Sequence, residues 1–176
     1  NAHGVVIETV IIENDGEYKE VEYTVVDDVT TLSKEEIITK VKNAGIVGMG
    51  GAGFPTHVKL SPKNPNDIEY IIVNGAECEP YLTSDYRKMM ERPNELVEGL
   101  NIILSLFKNA KGIIAVEDNK PEAFKVLKNI ADHKEDVDDS VKLMTLESKY
   151  PQGAEKMMVQ SATGRRVPPG KLPADV

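Results

Sequence analysis

The stretch Ser33-Lys34-Glu35-Glu36-Ile37-Ile38-Thr39-Lys40-Val41-Lys42-Asn43-Ala44-Gly45, followed by Gly48-Met49-Gly50-Gly51-Ala52-Gly53-Phe54-Pro55-Thr56-His57-Val58-Lys59-Leu60, decides how this chain is read. Taken alone, Gly48-x-Gly50-x-x-Gly53 fits a dinucleotide-binding fingerprint. Glycines this dense leave main-chain N–H groups open to phosphate oxygens. That fingerprint requires a strand directly before the glycines and a helix directly after. Here Ser33 and Glu36 make a capping box, Ile37, Ile38 and Val41 make a helical stripe, and Gly45 suits the helix C-cap. A helix therefore runs into the loop. The acid expected about 20 residues further on is also missing, because the next strand ends at Asn74. If Gly48, Gly50, Gly51 and Gly53 cradle a phosphate, with Lys59 as counter-charge, they do so outside an ordinary β–α turn. A flexible connector whose exit is fixed by Phe54-Pro55 is the plainer alternative.

Outward from this loop, apolar strands and amphipathic helices alternate. Tyr70-Ile71-Ile72-Val73 reads as a short buried strand ending at Asn74-Gly75, and residues 83 to 91 read as a helix. Pro93 opens a helix over Glu95 to Lys108, with Leu96, Leu100, Ile103, Leu104 and Phe107 at core spacing. Gly112 to Val116 is a second strand, Lys120 to Asp132 a helix, Val141 to Leu146 a third strand and Gln152 to Ser161 a last helix. The alternation predicts an α/β fold: a three-layer, Rossmann-like, mostly parallel sheet with helices on both faces. Before it, Val5 to Ile12 and Val21 to Val26 flank Asn14-Asp15-Gly16, a hairpin turn signal. This predicts a β-ribbon over residues 1–30, the remnant of an upstream β-domain, ahead of an α/β domain over 31–176. Both chain ends read as cuts through a longer protein.

Composition narrows the function classes. A formal net charge of −8 argues against tracking a nucleic-acid backbone. Cys78 is the single cysteine, so neither an internal disulfide nor a four-cysteine iron–sulfur site is expected here. His3, His57 and His133 lack metal-ligand spacing. No run reaches the ~18 apolar residues of a membrane span.

Ligands of parallel sheets sit at the carboxyl ends of strands. Three places qualify: Asn74 onward, Glu117-Asp118-Asn119, and Glu147 to Gly153. Asn74-Gly75-Ala76-Glu77-Cys78-Glu79-Pro80 is chemically the richest, with an amide, two carboxylates and a thiol. It also reads as a polar loop with solvated acids, in which Cys78 is inert.

The strings Gly45 to Leu60 and Asn74 to Arg87 together resemble the flavin- and NADH-binding subunit of respiratory complex I and related hydrogenases. They resemble more closely the C subunit of the Rnf electron-transport complex. Tyr150-Pro151-Gln152-Gly153-Ala154-Glu155-Lys156 and Thr163-Gly164-Arg165-Arg166-Val167-Pro168 look like the same subunit. The resemblance covers residues 45 to 176 well and the β-ribbon loosely. It implies non-covalent FMN with NADH stacked on it, and hydride transfer carried by the cofactors rather than by a catalytic side chain. The glycines would line the phosphates, Lys59 would pair with the FMN phosphate or ring edge, and Asn74 would bond the flavin, with Glu77 nearby. Phe54 would face the adenine, Glu79 would lie beside the nicotinamide, and Gly153 and Glu155 would hold the adenosine ribose. Glu155 would thereby favour NADH over NADPH.

Met49, Ala76 and Pro62 depart from the complex I pattern, which carries an arginine, an acid and an aromatic there. The [4Fe-4S] clusters, the other Rnf subunits and a ferredoxin-linked electron chain would lie outside this stretch. The subunit would be peripheral on the cytoplasmic membrane face. A soluble flavin-dependent reductase of the cobalamin-reductase kind, or a docking module without flavin, are the alternatives.

Overall fold

A computed structural model of the chain describes residues 6, 8–49, 53–133 and 141–176. Gly50 and Gly51, and the amino-terminal part of the expected ribbon, lie outside the described residues.

The first helix, α1 (Lys34–Asn43), begins at the expected capping box. The Ser33 N–H donates to Glu36 Oε2 at 2.8 Å, and the Glu36 N–H donates to Ser33 Oγ at 3.3 Å. It ends at Ala44, and Gly45 follows with φ +66°, the left-handed turn a glycine takes without a Cβ clash. Then come α2 (Thr56–Lys59), β1 (Tyr70–Gly75), α3 (Ser84–Glu91), α4 (Pro93–Leu104), β2 (Lys111–Glu117), α5 (Pro121–His133), β3 (Val141–Leu146) and α6 (Glu155–Thr163). The strands form one parallel sheet in the order β1-β2-β3.

Alternation along β2 explains the layers. Ile114 and Val116 join Met89, Val97, Leu100, Ala123 and Leu127 on the face covered by α3, α4 and α5. Ile113 and Ala115 join Ala76, Leu146 and Met158 on the face covered by α6. A strand buried on both faces reads as a continuous apolar run, as Gly112 to Val116 does. Each fully buried Leu or Ile on these faces contributes roughly 1.5–3 kcal/mol of burial free energy. A third cluster, Ile37, Leu60, Leu106 and Phe107, ties α1 and α2 to the segment after α4 and to Ile71 of β1.

Two expectations are corrected. The helix expected to reach Lys108 ends at Leu104. The chain tightens there, with Leu106 and Phe107 donating back only three residues, yet both remain buried. The last helix starts at Glu155 rather than Gln152, because residues 151–153 form a turn that buries Gln152. Of the expected β-ribbon, whose first strand falls partly outside the described residues, residues 8–28 contain no strand, and Val10, Ile11, Ile12, Val21, Tyr23 and Val25 are exposed. The turn at its tip is present, with Gly16 at φ +77° and its N–H bonded to Asn14 Oδ1 at 2.6 Å. A turn alone does not hold two strands together. They also need a surface on which to bury their alternate residues, and none packs here.

Gly75, the last residue of β1, marks the closest approach inside the sheet. A Cβ there would lie 2.7 Å from the Ala115 carbonyl oxygen and 3.2 Å from Met89 Sδ. Gly75→Ala should lower the unfolding free energy by ~1–3 kcal/mol, the scale of overpacking. The measurement is a urea titration, where the midpoint should fall at constant slope. An unmoved midpoint would mean that the strands part without strain.

Candidate functional site

The sheet delivers β1, β2 and β3 in parallel, so the loops that follow them meet at one end. The first joining contact is made by Asn74, whose Nδ2 donates to the Gly153 carbonyl at 2.8 Å. Its Oδ1 accepts the Ala76 N–H at 3.1 Å. One side chain thus fixes the start of its own loop and the turn before α6. Gly153 is held so close that a Cβ would lie 3.0 Å from the Ala76 carbonyl oxygen and 3.3 Å from Cys78 Sγ. Glu155, the first residue of α6, is exposed two residues on, where a helix N-terminus favours an acid.

The loop after β1 is organised by its two acids in different ways. Glu79 is exposed at the rim. Glu77, expected beside a flavin, is buried, and its carboxylate is committed elsewhere. It accepts from Ser84 Oγ (3.4 Å), Asp85 N–H (3.0 Å) and Tyr86 N–H (3.3 Å), capping the start of α3 from outside the helix.

The loop after β2 carries groups whose partners sequence spacing does not reveal. Glu117 Oε2 accepts the Glu77 N–H at 3.1 Å and Lys120 Nζ at 2.7 Å. Asp118 faces the other way and accepts from the Ser148 N–H (3.0 Å) and hydroxyl (2.6 Å), which fastens the loop after β3. Between these loops opens a crevice of about 640 Å³, lined among others by Glu79, Tyr81, Lys120, Ser148 and Tyr150. Glu117, Asp118 and Asn119 stand at a strand end in the sequence, but apart from Lys120 their partners Glu77 and Ser148 are distant in the chain. Gln152 was missed: its Nε2 donates to Ser161 Oγ, and its buried Oε1 has no hydrogen-bond partner among the described residues.

The glycine loop stands apart from these contacts. An isolated antiparallel bridge joins Val47 and Pro55, and the Gly48 N–H donates to the Phe54 carbonyl at 3.0 Å. Gly53 sits at φ +68°, and Phe54 is 42 % exposed. Lys59 Nζ lies 5.9 Å from the Phe54 ring centroid, within cation–π range, and has no carboxylate partner among the described residues. The loop is a closed hairpin carrying an exposed aromatic and an unpaired cation, anchored through Leu60 to the β1 side of the core. Among the described residues no hydrogen bond links it to Asn74 or Gly153. The structure therefore joins Asn74 to Gly153, with Glu77 and Glu79 on the loop after β1 and Glu155 at the start of α6, while Gly48, Gly53, Phe54 and Lys59 lie on a separate loop.

The Nuo51 FMN-binding domain family matches residues 41–176. The chain belongs to that family. It is 44% identical over 170 residues to the C subunit of the proton-translocating ferredoxin:NAD(+) oxidoreductase complex of Clostridium ljungdahlii, covering 96% of this chain and 36% of that protein. It is 40% identical over 179 residues to the C subunit of the Na(+)-translocating ferredoxin:NAD(+) oxidoreductase complex of Acetobacterium woodii, covering 99% of this chain and 39% of that one. The chain thus spans little more than a third of the length of these relatives. A solved NAD+-reducing [NiFe]-hydrogenase chain superposes with a TM-score of 0.63 over 78% of this chain and 26% of its own length. At 24% identity that likeness supports the α/β fold alone. Among the described residues no helix is long and apolar enough to cross a membrane, and no cluster of His, Cys, Asp or Glu is placed to hold a metal ion.

The Ser148 hydroxyl, and after it the Ser148 N–H, hold the Asp118 carboxyl below the usual carboxylate range. The sign follows from linkage: a depressed folded pKa adds stability that is present above the unfolded value of about 3.9, and that stability is lost as pH falls through the folded value. Ser148→Ala should move the Asp118 titration back up towards that ordinary value, as read by carbon-13 NMR of its carboxyl. An unmoved titration would show that the hydroxyl does not hold the loop.

Proposed function

We propose that this chain is the FMN- and NADH-binding part of a subunit of a membrane-associated, ion-translocating electron-transport complex. It would receive electrons from NADH and pass them to iron–sulfur clusters elsewhere in a longer subunit. The observation that carries this reading is the Asn74–Gly153 hydrogen bond, which joins the two segments to which the family resemblance assigns the flavin and the adenosine ribose.

The side chains fit such ligands. After its two bonds Asn74 retains one N–H and one lone pair, matching a ring edge that presents both an acceptor and a donor. The Lys59 ammonium, without a carboxylate partner among the described residues, suits a phosphate; the Gly48 N–H is already given to the Phe54 carbonyl, so any main-chain cradle would come from the glycines that follow it. Gln152 Oε1, orphaned and buried next to Gly153, leaves an acceptor for a donor that is still to arrive. When bound, FMN supplies the capacity to take a hydride from NADH and release its electrons singly.

The protein's part is to bind, orient and discriminate. Phe54 offers a face for the adenine, and Glu79 stands at the rim for the nicotinamide amide. Glu155 would accept from the adenosine ribose hydroxyls. Glu77 then serves the site through the α3 start rather than by direct contact. Residues 8–28 would find their missing surface in an upstream β-domain. Ferredoxin-linked partners and the cytoplasmic membrane face follow from the same reading.

The test is to titrate the full-length protein with FMN and add NADH without oxygen. The flavin absorbance near ~450 nm should bleach, as hydride acceptance requires. Persistent colour would leave a docking module that kept the fold. For specificity, a carboxylate facing the 2′-phosphate of NADPH is repulsive. Glu155→Ala should raise kcat/KM for NADPH relative to NADH about tenfold or more. An unchanged ratio would remove Glu155 from this role.

A further inference from the structure

Glu117 ends the central strand, is 3 % exposed, and takes no part in the ligand contacts assigned above. A buried Glu–Lys pair is weak evidence for stability, because desolvating both charges offsets their attraction. What Glu117 supplies that an apolar residue would not is an acceptor for the Glu77 main-chain N–H, at 3.1 Å.

That bond fixes the entry of the loop after β1. Glu77 fixes its exit, through three bonds to Ser84, Asp85 and Tyr86. Between these two fastenings Glu79, Tyr81 and Leu82 are exposed, and Tyr81 holds φ +68°, an uncommon conformation for a tyrosine. The Leu82 N–H donates back to the Glu79 carbonyl at 3.3 Å, which closes the loop on itself. The loop is thus pinned at both ends to rigid elements while its tip faces the crevice. Sites are held best when their supports stand on strands and helices, and β2 is buried on both faces.

We propose that Glu117 is a positioning residue: from the end of β2 it sets the main chain of residues 77–83 and thereby the place of Glu79 against the nicotinamide. The proposal rests on the NADH reading of the preceding section for its consequence, but not for the loop contact itself. Lys120 also donates to this carboxylate, its Nζ 2.7 Å away and its side chain 12 % exposed.

The experiment compares two double variants of the full-length protein, so that no buried charge is left alone. Glu117→Gln/Lys120→Met keeps an amide oxygen for the Glu77 N–H, whereas Glu117→Ala/Lys120→Met removes the acceptor. If the alanine pair does not fold, Glu117→Leu/Lys120→Met replaces it, with similar volume and no acceptor. Hydrogen exchange in peptides covering residues 77–86 should match the wild type in the glutamine pair and run about tenfold faster in the acceptor-less pair. KM for NADH, with ferricyanide as electron acceptor, should be about tenfold higher in the acceptor-less pair than in the glutamine pair, which shares its Lys120→Met change. Equal exchange in the two pairs would overturn the hold of Glu117 on the loop. Faster exchange with unchanged KM and kcat would overturn its role in placing Glu79. If the wild type neither bleaches with NADH nor binds FMN, the functional reading fails, while the exchange comparison still decides the contact.

Discussion

A strand that is covered on both faces must stay apolar along its length and can carry charge only where it leaves the sheet. β2 obeys this constraint, and the rest of the molecule is arranged around it. Its interior pairs with β1 on one edge and β3 on the other, and its alternate side chains anchor the helices above and below. Where it emerges, Glu117 and Asp118 point to opposite sides and take hold of the neighbouring loops. The crevice exists because one strand end is both the most rigid point of the fold and the first at which polar side chains are permitted.

Much of this was legible in the sequence. β3 was readable to the residue, because Val141 to Leu146 is bounded by polar residues and contains no competing helical period. The capping box of α1 and the glycine after it located that helix, since both signals are local. The α4 end was misjudged because Leu106 and Phe107 are buried at near-helical spacing, although the backbone there has already tightened. The alternation over residues 8–28 reports a preference for a half-buried surface without supplying that surface.

The candidate site was legible in part for a physical reason. Asn74 and Gly153 stand where parallel strands and their following loops end, whereas Glu155 is marked only by the family resemblance. The partners of Glu77 and Glu117 are not marked, because a carboxylate that caps a neighbouring helix and one that meets solvent are spelled alike. Only the packing of α3 against the sheet turned Glu77 inward. Lys120 looked like an ordinary helix-start lysine, and its burial follows from the acid one turn before it.

The Asn74–Gly153 hydrogen bond spans 79 residues of chain. Its two ends lie on β1 and beyond β3, strands that are not neighbours in the sheet, and they meet where the chain after β3 crosses back to β1 just ahead of α6, which packs against β1. Contacts of such range carry a large loop-closure cost and form late, after the local elements are in place. Occupancy of a site built on this contact would therefore be coupled to the topology as a whole and not to one loop. A nucleotide bound there would raise the melting temperature of the entire sheet in step with its saturation, which makes thermal stability itself a gauge of how full the site is.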